Sequence, residues 1–142
     1  MKRHRLDQHD PSLAKDADLV PRAVVAVSAT STSERWEHVQ HTHRKGQLMY
    51  TLRGVIHCEI EAGIWIVPRQ CALWIPGGMP HAARGAGEAE VYCLLIDPDA
   101  AGALPSQCCT LSVSGLLHEL ISKAVSFPQL YDVNSAQGRL ID

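Results

Sequence analysis

The chemistry this sequence could perform is concentrated in its histidines. There are eight, and His41 and His43 are separated by a single residue, with Gln47 following and Gly54 further on. The block reads H-x-H-x3-Q-x6-G. On a strand, residues i and i+2 point to the same face, so both imidazoles address one point. A second block, Pro76-Gly77-Gly78-Met79-Pro80-His81, reads P-x-G-x-x-H and uses a tight turn to present one more imidazole. Three neutral imidazoles and an amide oxygen suit a borderline divalent transition metal such as Zn, Ni, Fe, Co or Cu, whereas Ca and Mg prefer all-oxygen sites.

Outside this set the sequence offers no second acid or base, hydroxyl nucleophile or phosphate-binding loop. Gly77-Gly78 and Gly85-Ala86-Gly87 lack the strand-to-helix context that a phosphate loop needs. Met49, Trp65 and Trp74 are candidates to wall a ligand cavity, since small barrels hold one small molecule, with core packing as the competing role. His57 either lines the same pocket or faces solvent. Arg44, Lys45 and the stretch from Glu88 to Glu90 read as solvated loop positions. Gly54, Gly63 and Gly78 are expected at turns that require positive φ.

The elements that must position these residues are short. β-like runs cover Arg22 to Ser28, Glu34 to Gln40, Gln47 to Leu52, Val55 to Ile60, Ile64 to Val67, Cys71 to Ile75 and Val91 to Ile96, with a further one over Cys108 to Val113. Gly and Pro punctuate them, most heavily in the Pro76 to Glu88 segment, which reads as a connection. Many short strands between such turns predict an antiparallel sandwich or barrel rather than βαβ units. The period changes after Ser114. Leu116, Leu117, Leu120, Ile121, Ala124 and Val125 recur at helical spacing, with Ser114 as N-cap and Pro128 as the stop. A second helix starts near Asn134 or Ser135. The expected layout is a loose N-terminal arm over 1–20, a β-barrel over 21–113 and a helical segment over 114–142.

Composition bounds the function classes. The chain of 142 residues is 46% apolar and 20% charged, ordinary values for one folded domain. Its formal net charge of −2 argues against binding nucleic acid through bulk positive charge. No apolar run approaches the roughly 20 residues of a membrane span, and the N-terminus lacks a signal-peptide core. The five cysteines have no C-x-x-C spacing and read as buried, reduced thiols, so a cytoplasmic protein is expected. Cys108 and Cys109 face opposite ways on a strand, which argues against a vicinal redox pair.

The two histidine blocks, in this order and at this separation, resemble the paired motifs of the cupin superfamily. That resemblance implies a mainly β fold, a cupin-type antiparallel β-barrel with jelly-roll-like topology, in which His41, His43, Gln47 and His81 converge on one metal. In cupins the first block usually has Glu at the position of Gln47. In the second block, Gln70 stands where an opening Gly is expected and Gly85 where a closing Asn is expected. With no carboxylate among the ligands, a bound cation keeps its full charge and the site lacks a general base.

A narrower resemblance covers most of the chain. His41-Thr42-His43-Arg44-Lys45-Gly46-Gln47-Leu48-Met49-Tyr50, Gly63 to Pro68, Ala72 to Pro76, His81 and Leu116-Leu117-His118-Glu119-Leu120-Ile121 are similar to the N-terminal sensor half of AraC-type transcriptional regulators. In that subgroup Gln at the position of Gln47 is ordinary. The resemblance implies a non-enzymatic domain that senses a small-molecule effector, a metal or both. It also implies a homodimer that contacts DNA only through a C-terminal helix-turn-helix domain expected to follow Asp142, and no membrane partner. The competing expectation is a stand-alone metal-dependent cupin enzyme, such as a small dioxygenase or isomerase. A third is a cupin that regulates by binding a partner protein.

Overall fold

A computed structural model describes residues 17–31, 36–85 and 87–142. Most of the expected N-terminal arm lies outside the described residues. Among those residues, nine strands are present: β1 (Val24–Ser31), β2 (Trp36–His41), β3 (Gly46–Arg53), β4 (Ile56–Ile60), β5 (Gly63–Val67), β6 (Cys71–Ile75), β7 (His81–Gly85), β8 (Ala89–Ile96) and β9 (Cys109–Ser112). Two helices follow, α1 (Gly115–Val125) and α2 (Ala136–Ile141). The strands form a five-stranded sheet in the order β1-β8-β3-β6-β9 and a four-stranded sheet in the order β2-β7-β4-β5. Every pairing is antiparallel. This is the mainly β, cupin-type barrel that the sequence predicts.

The core between the sheets takes alternate residues from each. Met49, Leu73, Ile75 and Val91 come from the first sheet and Ile56, Cys58, Val67 and Ala83 from the second. Each large apolar side chain buried in this way contributes about 1.5–3 kcal/mol of transfer free energy. β3 departs from simple alternation because both of its faces are covered, and residues 46–51 are all buried. Met49 points into the barrel. Leu48 and Tyr50 point outward, joining Ala72, Trp74 and Ile121 in a second apolar layer beneath α1. The helical stripe thus packs on its own barrel through Leu117, Ile121 and Val125, while Leu116 and Leu120 stay exposed.

The helix signals act where the sequence places them. The Ser114 hydroxyl accepts from Leu117 N at 3.1 Å and caps α1, and Ser135 caps α2. All five cysteines are free thiols. Cys108, which precedes β9, packs against the inner core and Cys109, the first residue of β9, against the outer layer, so the two face opposite ways.

Two expectations fail in instructive ways. The glycine-rich connection over Pro76 to Glu88 contains β7, an interior strand that pairs with both β2 and β4. Its sequence, His-Ala-Ala-Arg-Gly, has no β-branched or apolar aromatic residue, so it carries no propensity signal; its backbone is fixed by hydrogen bonding on both sides. Lys45 is not a solvated loop residue but fully buried. Its ammonium spends its three hydrogens on the carbonyls of Ala17, Val20 and Arg22, at 2.8, 2.8 and 3.0 Å. Burial lowers its pKa, partly offset by the nearby carboxylates of Asp97 and Asp18. Residues 17–22 are thereby tied to the loop that carries His43, so the last four residues of the expected arm, 17–20, are anchored.

Candidate metal centre

Two loops and two strand ends assemble the site. β2 ends at His41, which sits opposite His81, the first residue of β7. The pairing of β2 and β7 shifts register between His38 and His41, an irregularity of the kind that re-aims a side chain at a sheet edge. His43 lies beyond the strand, in the connection to β3. Same-face alternation therefore does not unite His41 and His43; the loop does. Gln47 enters from β3 of the other sheet, so the four candidate ligands span both sheets.

The second loop is held against the first by backbone contact. Gly78 N donates to the His43 carbonyl at 2.8 Å. A Cβ on Gly77 would run into the carbonyl oxygen of Arg44, so only glycine permits this approach. Gly78 itself adopts φ 78°, and Gly54 and Gly63 also have positive φ, as their turn positions predict. Arg44 pairs with Asp97 at 2.9 Å, while its backbone N–H donates to Asp18.

The three imidazoles converge. Ring centroids lie 5.5 Å apart for His41 and His43, 4.4 Å for His41 and His81, and 4.9 Å for His43 and His81. One ring nitrogen of each falls within 4.8 Å of the others. His43 and His81 are buried and His41 is half-buried. The orientation of each ring is set by a carbonyl two residues away. Nδ1 lies 2.8 Å from Val39 O in His41, 2.6 Å from Lys45 O in His43 and 2.9 Å from Met79 O in His81. A carbonyl only accepts, so each Nδ1 carries the hydrogen and donates. In the neutral ring the lone pair is then on Nε2. This is the tautomer that metal-ligating histidines adopt when a second group holds the far nitrogen.

His81 Nε2 is buried and has no hydrogen-bond partner among the described residues. Such an orphan costs about 1–3 kcal/mol unless something engages it. Burial lowers the His81 pKa to about 4, with His41 and His43 adding to the effect and the Met79 carbonyl opposing it. The ring is neutral at physiological pH, the form that binds metal. Gln47 Oε1 lies 3.1 Å from His43 Nε2, close to the roughly 3.0–3.4 Å that separates adjacent ligands bound at about 2.1 Å. The residues present therefore fit a divalent transition metal in both donor chemistry and tautomer.

The suggested pocket lining divides. Met49 and Trp65 pack in the inner core. Trp74 does not: it lies in the outer layer, its indole donating to Pro105 O at 2.7 Å and its ring against Gly46, which has no room for a Cβ there. His57 also lies off the interior. On β4 the buried residues are Ile56, Cys58 and Ile60, which puts His57 on the opposite, outer face. Two contacts carry no sequence signal. Gln47 Nε2 donates to Cys93 Sγ at 3.4 Å, and the Tyr50 hydroxyl and His118 Nδ1 form a hydrogen bond of 2.7 Å between β3 and α1.

Comparison with known proteins agrees with this architecture. The AraC-like ligand binding domain family matches residues 25–128. The HTH-type transcriptional regulator NimR of Escherichia coli (strain K12) is 39% identical over 121 residues, covering 85% of this chain and 42% of that protein. The chain thus spans less than half the length of this relative. Among solved structures, apo ToxT from Vibrio cholerae strain SCE256 superposes with a TM-score of 0.61 at 7% identity, over 84% of this chain and 52% of that one. AerE from Microcystis aeruginosa gives 0.55 at 16% identity, over 66% and 44%. No helix among the described residues is long and apolar enough to cross a membrane. By the match over 25–128 and the identity to a regulator of transcription, the chain belongs to the AraC-like ligand-binding domain family.

Proposed function

We propose that this domain is the effector-sensing part of a transcriptional regulator and that it holds a divalent transition metal on His41, His43, Gln47 and His81. The observation that carries the metal is the set of carbonyl-fixed imidazoles around the orphaned His81 Nε2. A cation held there would supply a Lewis acid for a small anionic or carbonyl-bearing effector. The chain's own part is to orient the three rings, to keep His81 neutral, and to carry the state of the site outward. β3 suits that task because Gln47 reaches the site while Leu48 and Tyr50, on its other face, pack beneath α1. A sensor of this kind requires that the effector bind two states of the domain unequally.

The regulatory rather than enzymatic reading is supported by the family and by Gln47, which gives the site no carboxylate base. DNA recognition in this reading belongs to a helix-turn-helix unit outside these residues. Dimerisation is assigned to the exposed side of α1, where Leu116 and Leu120 stand one turn apart. Titration of the purified chain with Co(II), followed by visible absorption, tests the site. One equivalent is expected with the ligand-field bands of a histidine-rich site, and none for His41→Ala combined with His81→Ala. Unchanged binding in that double variant would overturn the assignment. Turnover of a diketone or flavonol by the iron- or copper-loaded protein would favour the enzyme instead.

A further inference from the structure

Gln47 sits between two partners whose demands on it conflict. Its Oε1 lies 3.1 Å from His43 Nε2, and its Nε2 donates to Cys93 Sγ at 3.4 Å. Because His43 gives its N–H to the Lys45 carbonyl through Nδ1, the neutral ring turns a lone pair toward Gln47. The amide meets it with another lone pair. For a neutral ring, two arrangements relieve this opposition. With a cation among the imidazoles, both lone pairs point to it and the amide keeps its present orientation, NH2 toward Cys93. In the metal-free protein, a half-turn about the Cγ–Cδ bond brings the NH2 to His43 Nε2 and the carbonyl oxygen to Cys93.

The two ends of a carboxamide have nearly the same shape, so the half-turn displaces nothing. It does require a partner that can both donate and accept. A thiol is such a group: it accepts from the NH2 in one orientation and donates its S–H to the carbonyl in the other. An ionised glutamate at this position could make no such exchange, since it accepts at both oxygens. Cys93 is itself held in place by its neighbours. It lies on β8, opposite Met49 of β3 and Val27 of β1, and packs against both the inner core and the cluster of Ala17, Val25 and Leu95.

We propose that Cys93 is a positioning residue for the histidine centre. Its thiol donates to the Gln47 carbonyl in the metal-free protein and accepts from the Gln47 amide when Gln47 Oε1 engages a divalent cation. This inference rests on the metal reading above but makes a separate claim about a residue outside the ligand set. The test is the S–H stretching band of Cys93, isolated as the infrared difference between the wild-type chain and Cys93→Val, without metal and with zinc. A low-frequency band, that of a donating thiol, is expected without metal, with a shift to higher frequency on zinc loading. Cys93→Ser, which keeps both roles, is expected to hold zinc affinity within about threefold, and Cys93→Val to lose about tenfold, the lower end of the usual cost of removing a group that orients a ligand.

Zinc binding with an unmoved Cys93 band would overturn the exchange and leave the metal site standing. Loss of the S–H band on zinc loading would also overturn it, by making Cys93 a ligand. Failure of the wild-type chain to bind zinc would overturn both.

Discussion

Gln70 is the described non-glycine residue with positive φ, at 68°. Its position opens the second histidine block, where the cupin pattern has glycine, and the reason is conformational. The turn closes by Gln70 N donating to Thr51 O, and the Gln70 carbonyl accepts from Val113 N. Both bonds hold the left-handed conformation that a side chain disfavours. Gln70→Gly is expected to stabilise the fold by up to about 1 kcal/mol, less the added flexibility of the unfolded chain, read from the urea midpoint. A lower midpoint would show that the Gln70 side chain makes a compensating contact. Cys58 gives a pH dependence. Burial, assisted by the nearby Cys108 and Cys93 thiols, pushes its pKa from 9.0 to about 12. Between those values the folded state keeps a proton that the unfolded state has lost, so stability falls as pH rises, by at most about 1.4 kcal/mol per unit from this group. Cys58→Ala should flatten that decline while lowering stability at neutral pH. An unchanged slope would assign the decline to other groups. The three converging imidazoles were legible in the sequence through the two motif blocks that His41, His43 and His81 occupy. Lys45, Cys93 and His118 were not, since their partners are set by tertiary packing.

At the scale of elements, strands rich in Val, Ile and Trp were legible, and β6 runs over the same residues as its propensity signal. β7 was not, because an interior strand with two hydrogen-bonded neighbours needs no intrinsic preference. A related ambiguity explains Trp74. Alternation tells which residues share a face, but not which face the barrel encloses when, as on β3 and β6, both are covered. The contact between Tyr50 and His118 makes a prediction at this scale. Tyr50→Phe removes the hydrogen bond and leaves His118 Nδ1 without this partner, at a cost of about 1 kcal/mol. If β3 carries the state of the metal site to α1, hydrogen exchange in α1 should respond to metal in the wild-type chain and respond less in Tyr50→Phe. An equal response in both would place the route elsewhere, for instance through the apolar layer of Leu48 and Ile121 alone.

At the scale of the whole molecule, the candidate ligands join the two sheets: His41 and His81 belong to the sheet of β2 and β7, and Gln47 to that of β3. A cation held by all of them cross-links the barrel at one end, so it stabilises the folded state by mass action, about 2.7 kcal/mol at a hundred times its Kd. Thermal unfolding with zinc and then with a chelator measures this. The cross-link depends on how closely the two loops approach, and Gly77 sets that distance, since a Cβ there collides with the Arg44 carbonyl. Gly77→Ala must therefore push apart the loops that bear His43 and His81 or break the bond from Gly78 N to His43 O. The strain lowers stability by about 1–3 kcal/mol in the metal-free protein, the usual range for overpacking at a rigid contact. The decisive quantity is the difference between the two forms. If the loops are built for a metal, the variant should lose more stability with zinc than with chelator, because the displaced ligands also forfeit binding energy. If the loss is the same in both, the close approach serves the barrel alone, and the convergence of the three histidines has no share in its stability.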